Sequence, residues 1–232
     1  MIGGIIAAGE GRRLREAGFT VPKPLVPVAG VPLIDGVVRN FQAAGISALT
    51  VIVNEDERDC VKGLAARFPA VDFRFIVRTT ASSLESFTRV LAAAPAGPIL
   101  MSTVDAWCRP ADFVTFVEAA CRRPPDTTVL AVTPLVEDES PLWATLGVDG
   151  RIRSLGEPDG NVVTAGIYLV PEHVRALTPP PGLRRLREFL AWLVRRGEMV
   201  YGETIDRVVD VDRLADVALA ESMSRQMSGG TE

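Results

Sequence analysis

Short apolar runs alternate with longer stretches in which apolar residues fall at helical spacing. Ile2 to Ala7 is a β-branched apolar run that ends in glycines, which predicts a buried strand feeding a loop. From Pro32 to Ala44, residues Leu33, Val37, Val38, Phe41 and Ala44 recur on one helical face, and Gly45 stops the helix. Ala48 to Val53 predicts a second strand, Asp56 to Phe68 a helix, Phe73 to Val77 a third strand, and Leu84 to Ala94 a helix halted near Pro95. Pro98 to Ser102 leads into a fourth strand, with Asp105 just past its end. This alternation predicts a parallel sheet wrapped by helices, in which ligands bind beyond the carboxyl ends of the strands. The loop at Gly9 and Asp105 both fall at that edge.

The second half changes character. Ala111 to Arg123 reads as a helix and Thr127 to Thr133 as a strand. Leu142 to Leu146 and Arg151 to Leu155 flank Asp149-Gly150, a hairpin signal. Val162 to Val170 is a further strand. Leu186 to Arg196 is an amphipathic helix with Leu186, Phe189, Leu190 and Leu193 on one face, and Val211 to Met223 is the last helix. The tail from Ser222 to Glu232 is rich in Ser, Gly and Met and is expected to fray.

Composition narrows the function classes. Of 232 residues, 47% are hydrophobic and 23% charged, an ordinary globular balance. A net charge of −4 argues against general nucleic-acid binding, which needs a basic surface. Cys60, Cys108 and Cys121 form no Cys-x-x-Cys pair, so a disulfide framework or zinc site is not expected and a cytoplasmic protein is. No apolar run reaches the ~18 residues of a membrane span, and the first residues make no signal peptide. A lone His173 makes no metal cluster and reads as a surface residue, while Trp107 and Trp192 read as packing residues.

The chemistry is concentrated early. Gly9 and Gly11 in Ala7-Ala8-Gly9-Glu10-Gly11-Arg12-Arg13-Leu14 let the backbone turn tightly and aim N–H groups at phosphate oxygens. Arg12 and Arg13 add guanidinium forks beside that nest. Two rival phosphate motifs fail. Gly4 and Gly9 have P-loop spacing, but Glu10 stands where the lysine belongs; a dinucleotide loop needs a third glycine where this chain has Leu14.

The same stretch, continued through Pro22-Lys23-Pro24-Leu25-Val26-Pro27-Val28-Ala29-Gly30-Val31-Pro32-Leu33-Ile34, resembles the sugar-phosphate nucleotidyltransferase family. The resemblance covers most of the first 45 residues, with weaker features to about residue 221. It implies a Rossmann-like three-layer α/β/α fold with a mainly parallel mixed sheet and acceptor-binding elements in the C-terminal half. One nucleotidyltransferase domain is expected over residues 1–221, with a nucleotide-binding half, 1–110, and an acceptor-binding half, 111–221, before a flexible tail, 222–232. It further implies that the loop wraps a nucleoside triphosphate, that Arg13 contacts the departing pyrophosphate, and that Lys23 reaches the reacting phosphates.

The implied reaction is attack by an acceptor phosphate on the α-phosphorus of the triphosphate. It needs charge neutralisation and alignment more than a general base, and Mg2+ held by one or two carboxylates supplies both. Asp105, following Ile99 to Thr103, is the first expected ligand. The second comes from Asp210 or Asp212 in Val209-Asp210-Val211-Asp212-Arg213-Leu214; the resemblance to a family Asp-Val-Asp segment selects Asp210 and leaves Asp212 as a helix cap. For the base, the hydroxyls of Thr79, Ser82 and Ser83 are the candidates, with Ser82 or Ser83 also placed to cap the next helix. For the acceptor, the resemblance points to Glu157, Thr164 and Gly166, although Thr164 stands for the family's asparagine and the lysine after Glu157 is missing. The expected function is transfer of a nucleoside monophosphate to a sugar 1-phosphate by a monomer or homodimer. The alternatives are cytidylyl transfer to a non-sugar phosphorylated alcohol and a non-catalytic nucleotide-binding relative.

Overall fold

The computed structural model describes residues 1–136 and 139–225. The first half runs β1 (Ile2–Ala7), α1 (Arg12–Glu16), β2 (Pro27–Val28), β3 (Val31–Pro32), α2 (Leu33–Ala43), β4 (Ala48–Val53), α3 (Leu64–Arg67), β5 (Asp72–Val77), α4 (Ser83–Ala93), β6 (Ile99–Thr103) and β7 (Ala106–Cys108). The second half runs α5 (Pro110–Arg122), β8 (Thr128–Thr133), β9 (Trp143–Leu146), β10 (Ile152–Leu155), β11 (Val162–Val170), α6 (Glu172–Arg175), α7 (Leu186–Arg195), β12 (Val200–Thr204), β13 (Val208–Asp210) and α8 (Leu214–Arg225).

A nine-stranded mixed sheet spans both halves in the order β10-β9-β11-β6-β1-β4-β5, with β8 pairing β11 and β12. Its centre, β6-β1-β4-β5, is parallel, whereas β11 runs antiparallel to β6, β8 and β9. The central strands β1, β4 and β6 are apolar on both faces because both faces are covered. Ile5, Val51 and Leu100 meet α2, α5 and α8, where Phe41 and Phe113 make an edge-to-face pair 5.2 Å apart. Ile6, Ile52 and Met101 meet α4 and α7, where Phe87 and Phe189 lie 5.7 Å apart. This is the expected three-layer α/β/α arrangement. Among the described residues, no helix is long and apolar enough to cross a membrane.

Three boundaries differ from the sequence reading. The helix expected over Asp56 to Phe68 is a 3-10 segment, Glu55–Val61, and the short α3, because Gly63 between them takes a left-handed φ of 72°. The last helix starts at Leu214 and not Val211: Val211 N–H donates to the Asp105 carbonyl at 3.0 Å and so continues the β13 segment. Residues 222–225 of the expected tail belong to α8; residues 226–232 lie outside the described residues.

One pairing was not anticipated and decides the site. β7 and β13 form a two-stranded antiparallel sheet with Asp210 opposite Ala106. It packs against β11 at Gly166, in the irregular stretch between Thr164 and Tyr168. Gly166 has a φ of 73°, and a Cβ there would lie 2.6 Å from Thr103 Oγ1 and 3.0 Å from Ala106 Cβ. Glycine therefore lets β11 close onto the segment that carries Asp105. Gly166→Ala should cost about 1–3 kcal/mol by urea unfolding, from overpacking added to backbone strain. Gly182→Ala, with a φ of 97° but open space around it, should cost less. Equal losses would show that close approach is not what residue 166 provides.

Candidate active site

The loop after β1 ends at Gly11, which takes a left-handed φ of 57° and starts α1. A Cβ at Gly11 would lie 2.7 Å from the Cβ of Lys23, so glycine here serves both the turn and the approach of the lysine segment. Leu14, 1% exposed, anchors α1 in the core. Ala7 is buried, while Gly9 and Glu10 are exposed, and Glu10 pairs loosely with Arg12 at 3.6 Å. The loop thus presents its backbone outward at the carboxyl edge of the sheet.

Lys23 begins a single 3-10 turn between Pro22 and Pro24, and its side chain is only 7% exposed. Its Nζ donates to Asp105 Oδ2 at 2.6 Å and also to Asp212 Oδ1. Arg13 Nη1 donates to the other oxygen of Asp212 at 3.1 Å. The Asp212 carboxylate therefore bridges two cations and caps no helix. Asp216 does the capping, its Oδ2 accepting the N–H groups of Asp212 at 2.9 Å and Arg213 at 2.7 Å. The expectation that Asp212 caps the last helix is thus corrected. The signal was there, since a second acid at i+4 was equally able to cap.

Asp105, Asp210 and Asp212 each offer an oxygen, and these oxygens lie within 4.8 Å of one another. The donor set is entirely carboxylate, hard and clustered, which fits a small divalent cation. The lysine ammonium already engages two of the three, so the cluster demonstrably attracts positive charge. Burial alone would lower the Lys23 pKa, but the charges of Asp105, Asp212 and Asp210 outweigh it and hold it above the ordinary lysine value. Burial would raise the Asp105 pKa; the Lys23 charge and hydrogen bonds from Lys23 and Thr103 bring it below the ordinary carboxylate value.

Beside the aspartates opens a cleft of about 540 Å³. The acceptor candidates Thr164 and Gly166 line it together with Ser83, which was a candidate for the base, and so do Arg13, Asp105 and Asp210. Tyr168, Arg185 and Arg187 line it too and were not anticipated as site residues. The arginines lie in a helix that sequence analysis read for its apolar face. Burial and the charges of Asp210 and Asp105 raise the Tyr168 pKa, keeping its hydroxyl protonated.

Other candidates fall elsewhere or have structural work. Glu157 is exposed in the turn after β10, outside the lining of the cleft. Ser82 caps α4 by accepting Glu85 N–H at 3.1 Å. Ser83 Oγ accepts Leu186 N–H at 3.0 Å and ties α4 to α7. Thr79 donates to Asn54 Oδ1 at 2.9 Å. His173 sits at the surface, 3.0 Å from Glu198.

Comparison with known proteins bears on the family and the fold. A family model described as a MobA-like NTP transferase domain matches residues 3–195. The chain is 40% identical over 68 residues to a 2-aminoethylphosphonate cytidylyltransferase of Lancefieldella rimae, covering 29% of this chain and 27% of that protein. It is 29% identical over 243 aligned residues to a bifunctional IPC transferase and DIPP synthase of Rubrobacter xylanophilus, covering 94% of this chain and 51% of that protein. The chain thus spans about half, or less, of the length of these curated relatives. The structure of the inositol-1-phosphate CTP transferase from T. maritima superposes with a TM-score of 0.83 at 19% identity, covering 98% of this chain and 96% of that one, a likeness of fold.

The lysine–aspartate cluster makes a stability prediction with a definite sign. The lowered Asp105 pKa contributes stability above the unfolded carboxylate pKa, lost as pH falls through the folded value. The raised Lys23 pKa contributes stability below the unfolded lysine pKa, lost as pH rises through the folded value. Lys23→Met should therefore be least stable relative to wild type near neutral pH, by about 2 kcal/mol, less than for a fully buried pair because the aspartates are partly exposed. Millimolar magnesium chloride should recover part of the loss. Urea unfolding from pH 3 to pH 9 checks this; a pH-independent difference would mean that Lys23 stabilises by packing alone.

Proposed function

The chain belongs to the MobA-like NTP transferase family, and we propose that it transfers the CMP group of CTP to the phosphate or phosphonate of a small non-sugar alcohol or polyol, with Mg2+ as cofactor. One observation carries the nucleotidyl transfer: Lys23, Asp105, Asp210 and Asp212, remote in sequence, converge where the glycine loop meets an open cleft. The choice of CTP is supported by the names of two similar proteins, a 2-aminoethylphosphonate cytidylyltransferase and an inositol-1-phosphate CTP transferase. Sugar 1-phosphates are the second acceptor class. They rank behind because Glu157, the residue expected to bind sugar hydroxyls, stands outside the cleft lining.

In the proposed reaction an acceptor oxygen forms a bond to the α-phosphorus of CTP. The bond from that phosphorus to the bridging oxygen breaks, and pyrophosphate leaves with the electron pair. The acceptor phosphate has a second pKa near ~6, so it attacks ionised and no side chain must take a proton. The N–H groups of the Gly9–Gly11 loop and the Arg13 guanidinium bind the triphosphate and the departing pyrophosphate. Asp105, Asp210 and Asp212 would hold the Mg2+, which supplies Lewis-acid neutralisation of phosphate charge. Lys23, positioned by its two prolines, offers its ammonium to the phosphates once the aspartates take the metal. Residues of the first half thus serve the nucleotide, and those of the second half the acceptor. The three free cysteines suit a reducing cytoplasm, the compartment we assign.

The test is a matrix of four nucleoside triphosphates against sugar 1-phosphates, phospho-alcohols and 2-aminoethylphosphonate, read by pyrophosphate release. CTP with a non-sugar acceptor should give the highest kcat/KM. A clear preference for a sugar 1-phosphate would replace the acceptor assignment, and no release with any pair would remove the enzymatic one. Asp105→Asn and Asp210→Asn should each lower kcat by about a hundredfold or more, with wild-type circular dichroism.

A further inference from the structure

An acceptor phosphate approaching the cleft meets Asp105 and Asp210 in its lining. A dianion cannot settle against carboxylates without positive charge on its own side. The strand residues that form the acceptor wall, Thr164, Gly166 and Tyr168, carry none. The cations lining the cleft are Arg13, Arg185 and Arg187. Arg13 is paired with Asp212 at 3.1 Å, at the triphosphate end. Of the remaining two, Arg185 is the N-cap of α7 and Arg187 stands on its first turn.

That turn is fixed in place. Glu188 Oε2 accepts the N–H groups of Arg184 at 2.8 Å and Arg185 at 2.9 Å. Leu186, between the two arginines, is 6% exposed, and its N–H donates to Ser83 Oγ at 3.0 Å. Arg187 is half-buried, and its Nη1 donates to the Ser140 carbonyl at 2.9 Å. A guanidinium has five N–H donors, so this bond orients the fork while engaging only part of it. The Arg187 charge also reaches the buried Tyr168, as do the charges of Asp105 and Asp210.

Resting on the proposed nucleotidyl transfer, we propose that Arg187, aided by Arg185, grips the terminal phosphate of the acceptor and makes the enzyme selective for phosphomonoester or phosphonate dianions. A planar fork pairs with two oxygens at once, which a monoanionic sulfate ester or a phosphodiester satisfies less well. Arg187 acts by binding and aiming the nucleophile. Its oriented side chain limits the rotamer entropy lost when the acceptor arrives.

The experiment compares full-length wild type with Arg187→Ala, Arg187→Lys and Arg185→Ala in two assays. With the best acceptor from the substrate matrix, Arg187→Ala should raise the acceptor KM about tenfold or more, leaving the CTP KM within about twofold. Arg187→Lys should recover part of that loss, and Arg185→Ala should show a smaller rise. Calorimetric titration with methyl phosphate, in the presence of magnesium chloride, should show weaker binding to Arg187→Ala in the same order. An unchanged acceptor KM and unchanged methyl phosphate affinity in Arg187→Ala would overturn the assignment while leaving nucleotidyl transfer standing. If wild type releases no pyrophosphate with any acceptor, nucleotidyl transfer fails instead. The methyl phosphate titration then still decides whether Arg187 holds a phosphate: affinity lost in Arg187→Ala upholds the grip, and affinity retained overturns it. Matching thermal unfolding of wild type and variants separates both results from damage to the Ser140 contact.

Discussion

A buried ammonium held between carboxylates is the constraint around which the rest of the site is organised. Lys23 is 7% exposed and donates to both Asp105 and Asp212. Burying one such charge unpaired costs several kcal/mol, and burying the carboxylates without it costs comparably. The chain must therefore bring three segments together: the proline-flanked turn after the glycine loop, the end of β6, and the strand before α8. With Arg13 included, two cations engage Asp105 and Asp212, and an oxygen of Asp210 lies within 4.8 Å of theirs.

The backbone achieves this convergence by one short pairing. β7 and β13 are each three residues long, too short to be stable alone. Their register sets Asp210 against Ala106, and the Val211 N–H bonds to the Asp105 carbonyl. A slip of one residue would turn Asp210 to the opposite face of the ribbon. What prevents the slip is burial: Val208 and Val209 are 5% and 1% exposed, and Cys108 is 5%. The geometry of the acidic cluster is thus held by apolar packing behind it, and the close approach at Gly166 presses the same ribbon against β11.

The parts legible in sequence were those encoded locally. The alternating strands and helices of the first half, the glycine loop, the hairpin at Asp149-Gly150 and the apolar face of α7 each depend on residues within a dozen positions, and each stands in the structure near its expected bounds. The single helix expected after β4 is interrupted because Gly63 takes a left-handed conformation in its middle. The role of Asp212 failed for a different reason. Capping is a local rule that both Asp212 and Asp216 satisfy, and only tertiary structure shows that Lys23 and Arg13 claim the first. Arg187 had no local signal at all. An arginine near the start of an amphipathic helix is ordinary until the fold aims it into a cleft.

The division between legible and hidden residues follows the chemistry of the two ligands. A triphosphate is the same for every nucleotide, so a loop of backbone N–H groups and one arginine can bind it from a single contiguous segment. An acceptor differs from enzyme to enzyme beyond its phosphate. The pocket proposed for it is assembled from β11, the first turn of α7 and the segment at Ser140, which meet only through the fold. In the proposed reading, the charge-locked centre of Lys23 and the aspartates serves nucleotidyl transfer, and the wall of the cleft at Arg187 serves the acceptor.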